Sequence, residues 1–349
     1  MTHPRTISTI SEFLLHAGTE YMVIDLSRGF HLLDNQEFFE YENNSIAFPR
    51  PRQGHAWLCI MFWNKQLNAE HYIWYIKIPV DEHSLLVSAA RDQFLQIVVT
   101  SLGQAADNQK SLERGLPDNP FVFTPSQQMR ANCSALLKQA LLNKEGNFNA
   151  ETLKAYPAYT YLNAPRESTW EYLSIQNIAD LLVFAEQADI RSALIQNVKH
   201  YSLQVLNCIL GSLECVNLTK DLSDCLIALS KENIQQSTTI LRALAKSDTP
   251  SVETLISDIL VKSPTLDLET LVVIAGRHWQ VLSQKPVLRQ YMKHVVSFCA
   301  DFSLFKGIYA DLVQIPNLRP YILDYLKEPK LSEIEQQAIA QLVESTGKP

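Results

Sequence analysis

Glycine is scarce in this sequence, and its spacing excludes several common functional motifs. Only ten of the 349 residues are glycine, well below the usual share of about 7%. The two closest glycines, Gly18 and Gly29, are eleven positions apart. No G-x-G, G-x-x-x-x-G-K or G-x-S-x-G pattern can therefore occur. These patterns bind phosphates or present a strained serine nucleophile, so dinucleotide-binding, P-loop and α/β-hydrolase sites are excluded.

Clusters of metal ligands and closely paired cysteines are also lacking. The nine histidines form no H-x-H or H-E-x-x-H pattern, whereas zinc sites bring three or four ligands together and usually start from a local pair. The six cysteines form no C-x-x-C pair, and a chain of this length can bury a core without disulfides. We therefore expect reduced cysteines, no metal and no cofactor.

Charge and hydrophobicity argue against nucleic-acid and membrane binding. The formal net charge is −7, and a nucleic-acid binder normally carries a basic face. No apolar run reaches the ~18 residues of a membrane span, and the N-terminus lacks the basic and apolar regions of a signal peptide. The sequence predicts a cytoplasmic protein with neither a nucleic acid nor a membrane as partner.

The length and the apolar patterns predict two domains joined by a linker. A chain of 349 residues exceeds the size at which a single core usually stops growing. Residues 1–104 combine strand and helix patterns, and residues 125–349 show only helical ones. Residues 105–124 are polar and interrupted by glycine and proline. We predict an α+β domain, a linker and an all-helical domain over these three ranges.

Two β-hairpins are predicted in the first domain. The strands YMVIDL (21–26) and FHLLD (30–34) flank the turn Ser27-Arg28-Gly29, and such turn residues between apolar runs are typical of a hairpin. HAWLCIMFWN (55–64) and EHYIWYIKI (70–78) form the second pair. We therefore expect an antiparallel sheet of two hairpins.

Three helices are expected to accompany this sheet. A capping box begins a helix over residues 9–17, and QEFFEYEN (36–43) is expected to be helical. Asp81 is expected to cap a long helix that runs to about residue 103. The apolar stripe of that helix would consist of Leu86, Ala90, Phe94 and Ile97.

The stretch HAWLCIMFWN is apolar on both faces of its predicted strand. One face carries Trp57, Cys59, Met61 and Trp63, and the other carries Ala56, Leu58, Ile60 and Phe62. A strand with one solvated face would alternate with polar residues, so both faces need cover. Helices of the same domain can cover one face. The C-terminal domain is the favoured cover for the other, with a second copy of the chain or an apolar ligand as alternatives.

Residues 125–349 show a succession of capped amphipathic helices. Helical apolar spacing follows capping residues at Thr219, Ser251, Asp267 and Ser332. The landmarks Thr219, Ser251, Pro286 and Pro316 are 32, 35 and 30 residues apart, close to the length of a stacked helical hairpin. We predict an all-α domain, either a HEAT-like array of helical hairpins or an irregular helical bundle.

One resemblance covers the chain and is strongest over residues 7–80. The run ISTISEFLLHAGTEYMVIDLSRGFHLLDNQEFFEYEN, followed by PRQGHAWLCIMFWNKQ, resembles a family of bacterial proteins of similar length that is known only as a domain of unknown function. The resemblance implies a bacterial, cytoplasmic protein. It implies no activity and therefore no catalytic residues.

Arg50 and Arg52 alternate with prolines in the loop FPRPRQG, just ahead of the aromatic strand. Two guanidinium groups on a rigid loop beside a ring surface suit the binding of a carboxylate or phosphate. The adjoining rings would come from His55, Trp57, Trp63 and Trp74. The favoured alternative is that both arginines pair with the acidic residues just upstream, which are Glu37, Glu40 and Glu42.

The favoured function is a noncatalytic scaffold module that binds a protein or a peptide, because stacked helical hairpins expose a long surface suited to that task. One alternative is a small-molecule sensor that uses the aromatic face of strand 55–63. The other is a hydrolytic enzyme built from Asp25, His31 and Asp34, which would require these groups to converge in a pocket. A homodimer would also cover the second strand face.

Overall fold

The chain forms two compact units in a computed structural model that describes residues 8–64, 71–107, 118–146, 149–233, 236–247 and 250–346. The first unit comprises residues 1–124 together with residues 313–319, and the second comprises residues 125–312 and 320–349. A short segment late in the sequence thus belongs to the unit that the N-terminal residues build.

The first unit is an α+β fold with an antiparallel sheet, as the sequence predicts. Its elements in chain order are α1 (Ile10–His16), β1 (Glu20–Asp25), β2 (His31–Leu33), α2 (Asn35–Glu42), β3 (His55–Trp63), β4 (His71–Pro79) and α3 (Ser88–Asp107). The four strands lie in the order β2-β1-β3-β4. The two predicted hairpins are therefore joined through β1 and β3, where Met22 lies opposite Met61.

One face of the sheet builds the core of this unit. On β3 the inward residues Ala56, Leu58 and Ile60 are fully buried. They belong to a cluster with residues of α1, α2, β4 and α3, including Leu14, Phe38, Ile76 and Phe94. The helices therefore cover the β3 face that carries the even-numbered residues, as expected.

A buried carboxylate connects α1 to α2. Glu42 is only 1% exposed, and it accepts hydrogen bonds from the backbone N–H groups of Ile10 at 2.6 Å and Ser11 at 3.0 Å. The first N–H groups of a helix have no partner within the helix, so an acceptor at this position satisfies them. The α1 N-cap is Thr9, whose hydroxyl accepts from the N–H of Glu12.

The long helix begins later than the sequence predicts. α3 starts at Ser88, whereas the Asp81 carboxylate accepts from the N–H groups of His83 and Leu85 within a turn. Leu86, which was expected on the helix stripe, instead forms an isolated bridge with Val80. The acidic residue is a cap in both cases, but here its partners belong to a loop that closes back onto the end of β4.

Part of the predicted linker lies against the edge strand β4. The carbonyl of Phe121 accepts from the N–H of Lys77 at 2.7 Å, and the N–H of Phe123 donates to Tyr75 at 3.1 Å. Residues 108–117 lie outside the described residues. The paired segment satisfies backbone groups that an edge strand otherwise leaves open.

The segment 313–319 supplies polar contacts within the first unit. The Gln314 side chain accepts from the N–H of Gly54 at 2.8 Å, and its carbonyl accepts from the Ser84 hydroxyl at 2.7 Å. Gly54 has φ +73°, a left-handed conformation that glycine adopts without a steric cost. The loops on both sides of the second hairpin are thereby tied to a distant part of the sequence.

The second unit is helical. Its helices are α4 (Gln127–Glu145), α5 (Pro157–Asn163), α6 (Ile175–Leu182), α7 (Ala188–Asn197), α8 (Leu203–Leu213), α9 (Lys220–Glu232), α10 (Ser237–Ala243), α11 (Pro250–Lys262), α12 (Leu268–Arg277), α13 (Lys285–Ser297), α14 (Ser303–Leu312), α15 (Arg319–Tyr325) and α16 (Glu333–Thr346). The first residue of α15 belongs to the first unit. No helix in the described ranges is long and apolar enough to cross a membrane.

These helices pack in two rows. In one row α4, α6, α8, α10 and α12 each contact the next, and in the other row α5, α7, α9, α11 and α13 do the same. Three of the spacing landmarks, Thr219, Ser251 and Pro286, lie at or beside the first turns of α9, α11 and α13. The period seen in the sequence therefore follows successive helices of one row. Ser251 lies inside the first turn, because α11 already begins at Pro250.

Candidate functional site

Arg50 is held by a buried aspartate of the first hairpin. Its Nε lies 2.7 Å from Oδ2 of Asp25, and the Asp25 side chain is completely buried. The N–H of Ser27 donates to the other carboxylate oxygen at 2.8 Å. Burial raises the pKa of Asp25, while Arg50 and the Ser27 N–H oppose that shift. An ion pair was expected for Arg50, but its partner is Asp25 and not one of the three upstream glutamates.

Those glutamates have other local environments. Glu42 caps α1, as described above, and Glu37 accepts a hydrogen bond from the hydroxyl of Tyr41. Glu40 accepts from the side chain of Gln36 at 3.1 Å. The reason for the different pairing is geometric, because α2 directs these carboxylates along its own surface and toward α1.

Arg52, His55 and Trp57 come together at the start of β3. The Arg52 guanidinium carbon lies 4.4 Å from the Trp57 ring centroid, and Lys77 Nζ lies 5.4 Å from it. The indole N–H of Trp57 donates to the carbonyl of Arg52 at 3.0 Å. The His55 ring centroid is 6.5 Å from that of Trp57. Cations near an indole face are attracted by the negative potential of the ring, so this cluster is held together electrostatically.

The remaining candidate tryptophans lie elsewhere. Trp63 is 5% exposed, and its ring lies 5.6 Å from that of His71 across the hairpin. Trp74 points to the opposite face of the sheet, where it packs 4.5 Å from Phe62 and 5.7 Å from Phe94. The six candidate residues therefore occupy at least three separate environments.

The second face of β3 is covered over most of its length. Cys59 and Met61 are completely buried, whereas Trp57 is partly exposed. Phe123, from the predicted linker, packs edge-on against Trp57 at 4.7 Å and against Tyr75 at 5.9 Å. Sequence reasoning missed Phe123 and Lys77 in this cluster, because neither is close to Trp57 along the chain.

The three residues of the hydrolytic alternative have local partners. Asp25 is paired with Arg50, and the Asp34 carboxylate accepts from the N–H of Gln36 at 2.8 Å as the N-cap of α2. His31 lies opposite Asp25 in the β1–β2 register. None of the three lines either of the cavities described below. In the described part of the chain no three His, Cys, Asp or Glu side chains could hold a metal ion.

A cavity of about 660 Å³ lies in the second unit. It is lined by residues of α11, α13 and α15 and by residues 327–329. Its apolar lining includes Leu260, Val261, Pro286 and Leu288, and Tyr321 and Tyr325 add aromatic surface. Val261 is 68% exposed, so apolar area is available to a ligand. A volume of this size is typical of a site for a peptide side chain or a small molecule.

Charged side chains surround the apolar lining of this cavity. Lys285, Arg289 and Lys327 are basic, and Asp324 and Glu328 are acidic. Lys285 and Asp324 pair at 3.4 Å, and both are well exposed. Such an exposed pair contributes little to stability, so both groups can reorganise around a ligand.

Arg289 is the unusual group among these charges. Its Nη2 donates to the carbonyl of Lys330, and its buried Nε has no hydrogen-bond partner. Within the described residues, no carboxylate forms an ion pair with Arg289. The neighbouring Glu335 accepts instead from the Tyr325 hydroxyl at 3.0 Å and from the N–H of Ser332 at 2.8 Å.

A smaller cavity of about 490 Å³ lies on the other side of α11, against α9. Its lining includes Ile227, Lys231, Thr254, Leu255 and Asp258. The two cavities thus flank the same helix in the row of α9, α11 and α13. Sequence reasoning did not find them, because each is assembled from segments that are separated along the chain.

All six cysteines lie within the described residues, and none forms a disulfide. Cys215 is buried, and burial raises the pKa of its thiol well above the usual range. A protonated and inaccessible thiol is a poor nucleophile. No cysteine is among the residues that line either cavity.

Comparison with known proteins gives a family and no activity. Residues 5–343 match the family described as Protein of unknown function (DUF3549). No curated protein and no solved structure matches the chain significantly. The match spans nearly the whole length and agrees with the resemblance seen in the sequence. The chain therefore belongs to the DUF3549 family.

Proposed function

We propose that this protein is a noncatalytic binding module that holds a protein or peptide segment along the row formed by α9, α11 and α13. The observation that carries the proposal is the pair of cavities on either side of α11. Both combine apolar side chains with charged groups at their edges. A peptide needs this combination, since its apolar side chains require pockets and its backbone and charged groups require polar neighbours.

The packing of the helices supports this proposal. We infer that the second unit is an array of stacked helical hairpins related to HEAT-like solenoids, because from α4 to α11 each helix contacts the second helix after it, which gives two rows. Arrays of this kind expose one continuous row of helices and use it as an extended binding surface. The site would then extend over more than one hairpin.

The two alternatives have less support. A small-molecule sensor would need an open aromatic face on β3, yet Cys59 and Met61 are fully buried there. A hydrolytic enzyme would need Asp25 and Asp34 free for chemistry, yet both carboxylates accept hydrogen bonds from local groups. A bacterial and cytoplasmic setting remains part of the proposal and follows from the family resemblance.

The test is selection of peptides by the full-length protein from a displayed random library, followed by affinity measurement with two matched variants. Val261→Asn removes exposed apolar area from the larger cavity without adding charge. Val272→Asn makes the same change on α12 in the other row, where Val272 is 48% exposed. Both positions are exposed, so neither change should affect folding.

We expect Val261→Asn to weaken selected peptides about fivefold, since covering part of a valine side chain contributes roughly 1 kcal/mol. Val272→Asn should leave the affinity unchanged. Failure to select any peptide would refute the proposed function, and equal effects of the two variants would show that the site is not on this row. Size-exclusion chromatography of the same samples shows whether a second copy of the chain is the partner.

A further inference from the structure

We infer that the larger cavity recognises an Asp or Glu side chain of a bound peptide, with Arg289 as the residue that binds the carboxylate. This inference rests on the proposed function, because it names the chemistry of the segment that the binding row would hold. The expected ligand segment carries one carboxylate next to apolar residues. Its apolar part would pack on Val261 and Tyr321, which line the same cavity.

The first argument is the charge balance of the cavity. Three basic and two acidic side chains line it, in a chain whose net charge is −7. Lys285 and Asp324 neutralise each other at 3.4 Å. Arg289, Lys327 and Glu328 remain, so the side chains that line the cavity carry one positive charge in excess, which a carboxylate would balance.

The second argument is the hydrogen bonding of Arg289. A guanidinium group has five N–H donors, and among the described residues the structure gives this one a single acceptor, the carbonyl of Lys330. That contact orients the group, and its Nε is enclosed without a partner. A partly enclosed guanidinium without a counterion is unfavourable, whereas a planar carboxylate can accept two of its N–H groups at once.

The third argument concerns Glu335, a buried carboxylate that is hydrogen-bonded to Tyr325 of the same cavity. Glu335 is 1% exposed and accepts from Tyr325, from the N–H of Ser332 and from the Ser332 hydroxyl at 2.5 Å. These donors hold Glu335 beside the start of α16. Glu335 is therefore engaged by Tyr325 and Ser332, and it does not serve as the counterion of Arg289.

The test uses an array of dodecapeptides anchored through their C-termini, so that side chains supply the only carboxylates. Every peptide is printed twice, once with Asp or Glu and once with Asn or Gln at the same positions. Full-length wild-type protein should bind the acidic members of the pairs about tenfold more tightly, as expected for a charge-assisted hydrogen bond. Arg289→Gln should abolish this preference.

Two further variants make the result specific. Lys293→Gln removes one positive charge from an exposed position of the same helix and should keep the tenfold preference. Arg289→Lys keeps the charge but loses the forked geometry, so it should show an intermediate preference. It also serves as the test if Arg289→Gln does not fold, which its thermal unfolding midpoint would reveal.

Equal binding of the acidic and amide members by the wild-type protein would overturn the inference and leave the proposed function standing. A preference that persists unchanged in either Arg289 variant would also overturn it, since another cation would then be responsible. If the wild-type protein binds no peptide of either kind, the proposed function fails and the inference fails with it.

Discussion

Replacement of Arg50 by methionine should strongly destabilise the first unit, because it leaves the buried Asp25 carboxylate without its cation. Asp25 is completely buried, and the Arg50 side chain is 19% exposed. Removing one partner of a buried ion pair costs about 3 to 5 kcal/mol. The Ser27 N–H remains as a donor to Asp25, and Arg50 has some access to water, so we expect about 3 kcal/mol.

The pH dependence of stability shows whether the Asp25 carboxylate causes the loss of stability in Arg50→Met. Burial raises the pKa of Asp25, and Arg50 opposes the shift, so the pKa should rise further in Arg50→Met. A carboxyl group with a raised pKa in the folded state stabilises the fold when it is protonated, and this contribution is lost as the pH rises through that pKa. The loss of stability in Arg50→Met relative to the wild-type protein should therefore become smaller as the pH is lowered from neutral.

Urea unfolding followed by tryptophan fluorescence measures both effects. Trp57 reports on this region, because its backbone N–H donates to the Ser27 hydroxyl at 2.9 Å. The matched control is the double variant Asp25→Asn with Arg50→Met, which removes both charges and should recover most of the lost stability. The reasoning is refuted if the double variant is as unstable as Arg50→Met, or if Arg50→Met lies within about 1 kcal/mol of the wild-type protein at neutral pH.

Two further predictions concern the cores of the two units. Phe94→Ala should lower the free energy of unfolding by about 3 to 5 kcal/mol, because Phe94 is fully buried and packs edge-on against Trp74 and Phe121. Urea unfolding measures this loss of stability. Val99→Ala on the same helix, at a half-exposed position, should change the free energy of unfolding by less than about 0.5 kcal/mol, and similar losses in both variants would contradict the assigned core. Burial lowers the pKa of His278 from 6.5 to about 4, so between these values the unfolded chain binds a proton that the folded chain does not. The stability advantage of the wild-type protein over His278→Gln should therefore fall by roughly 1 kcal/mol per pH unit as the pH drops through this range, and parallel pH profiles of the two proteins would rule this out.

Local patterns predicted the elements of the first unit well. The strand at residues 55–63 was recognisable from its continuous apolar run, and the helix at residues 10–16 from its capping residues. The start of α3 was wrong, because Asp81 is an equally good cap for a turn and for a helix. Which of the two forms depends on the pairing of Val80 with Leu86, a contact within the loop that the capping pattern alone does not indicate.

The candidate site was much less predictable. Three of the six candidate residues, Arg52, His55 and Trp57, lie together because they are within six residues of one another. Arg50 forms an ion pair, but with Asp25 and not with the predicted upstream glutamates. The partner of Arg50 could not be inferred from the sequence, because Asp25 comes close to Arg50 only when β1 pairs with β3 in the sheet. The cavity around Arg289 combines three helices and a turn, so no local pattern marks it.

The sequence by itself determined which motifs are absent, the order of strands and helices along the chain, and the need to bury both faces of β3. These properties depend on residue types and on spacings of two to about thirty-five positions, which turns, strands and helical hairpins impose locally. The tertiary structure alone decided the pairing of Asp25 with Arg50, the position of Phe123 over Trp57, and the cavities beside α11. These contacts depend on which distant segments pack together when apolar surface is buried. Because the hydrophobic effect has no preferred direction, the spacing of residues along the chain does not identify the packing partners.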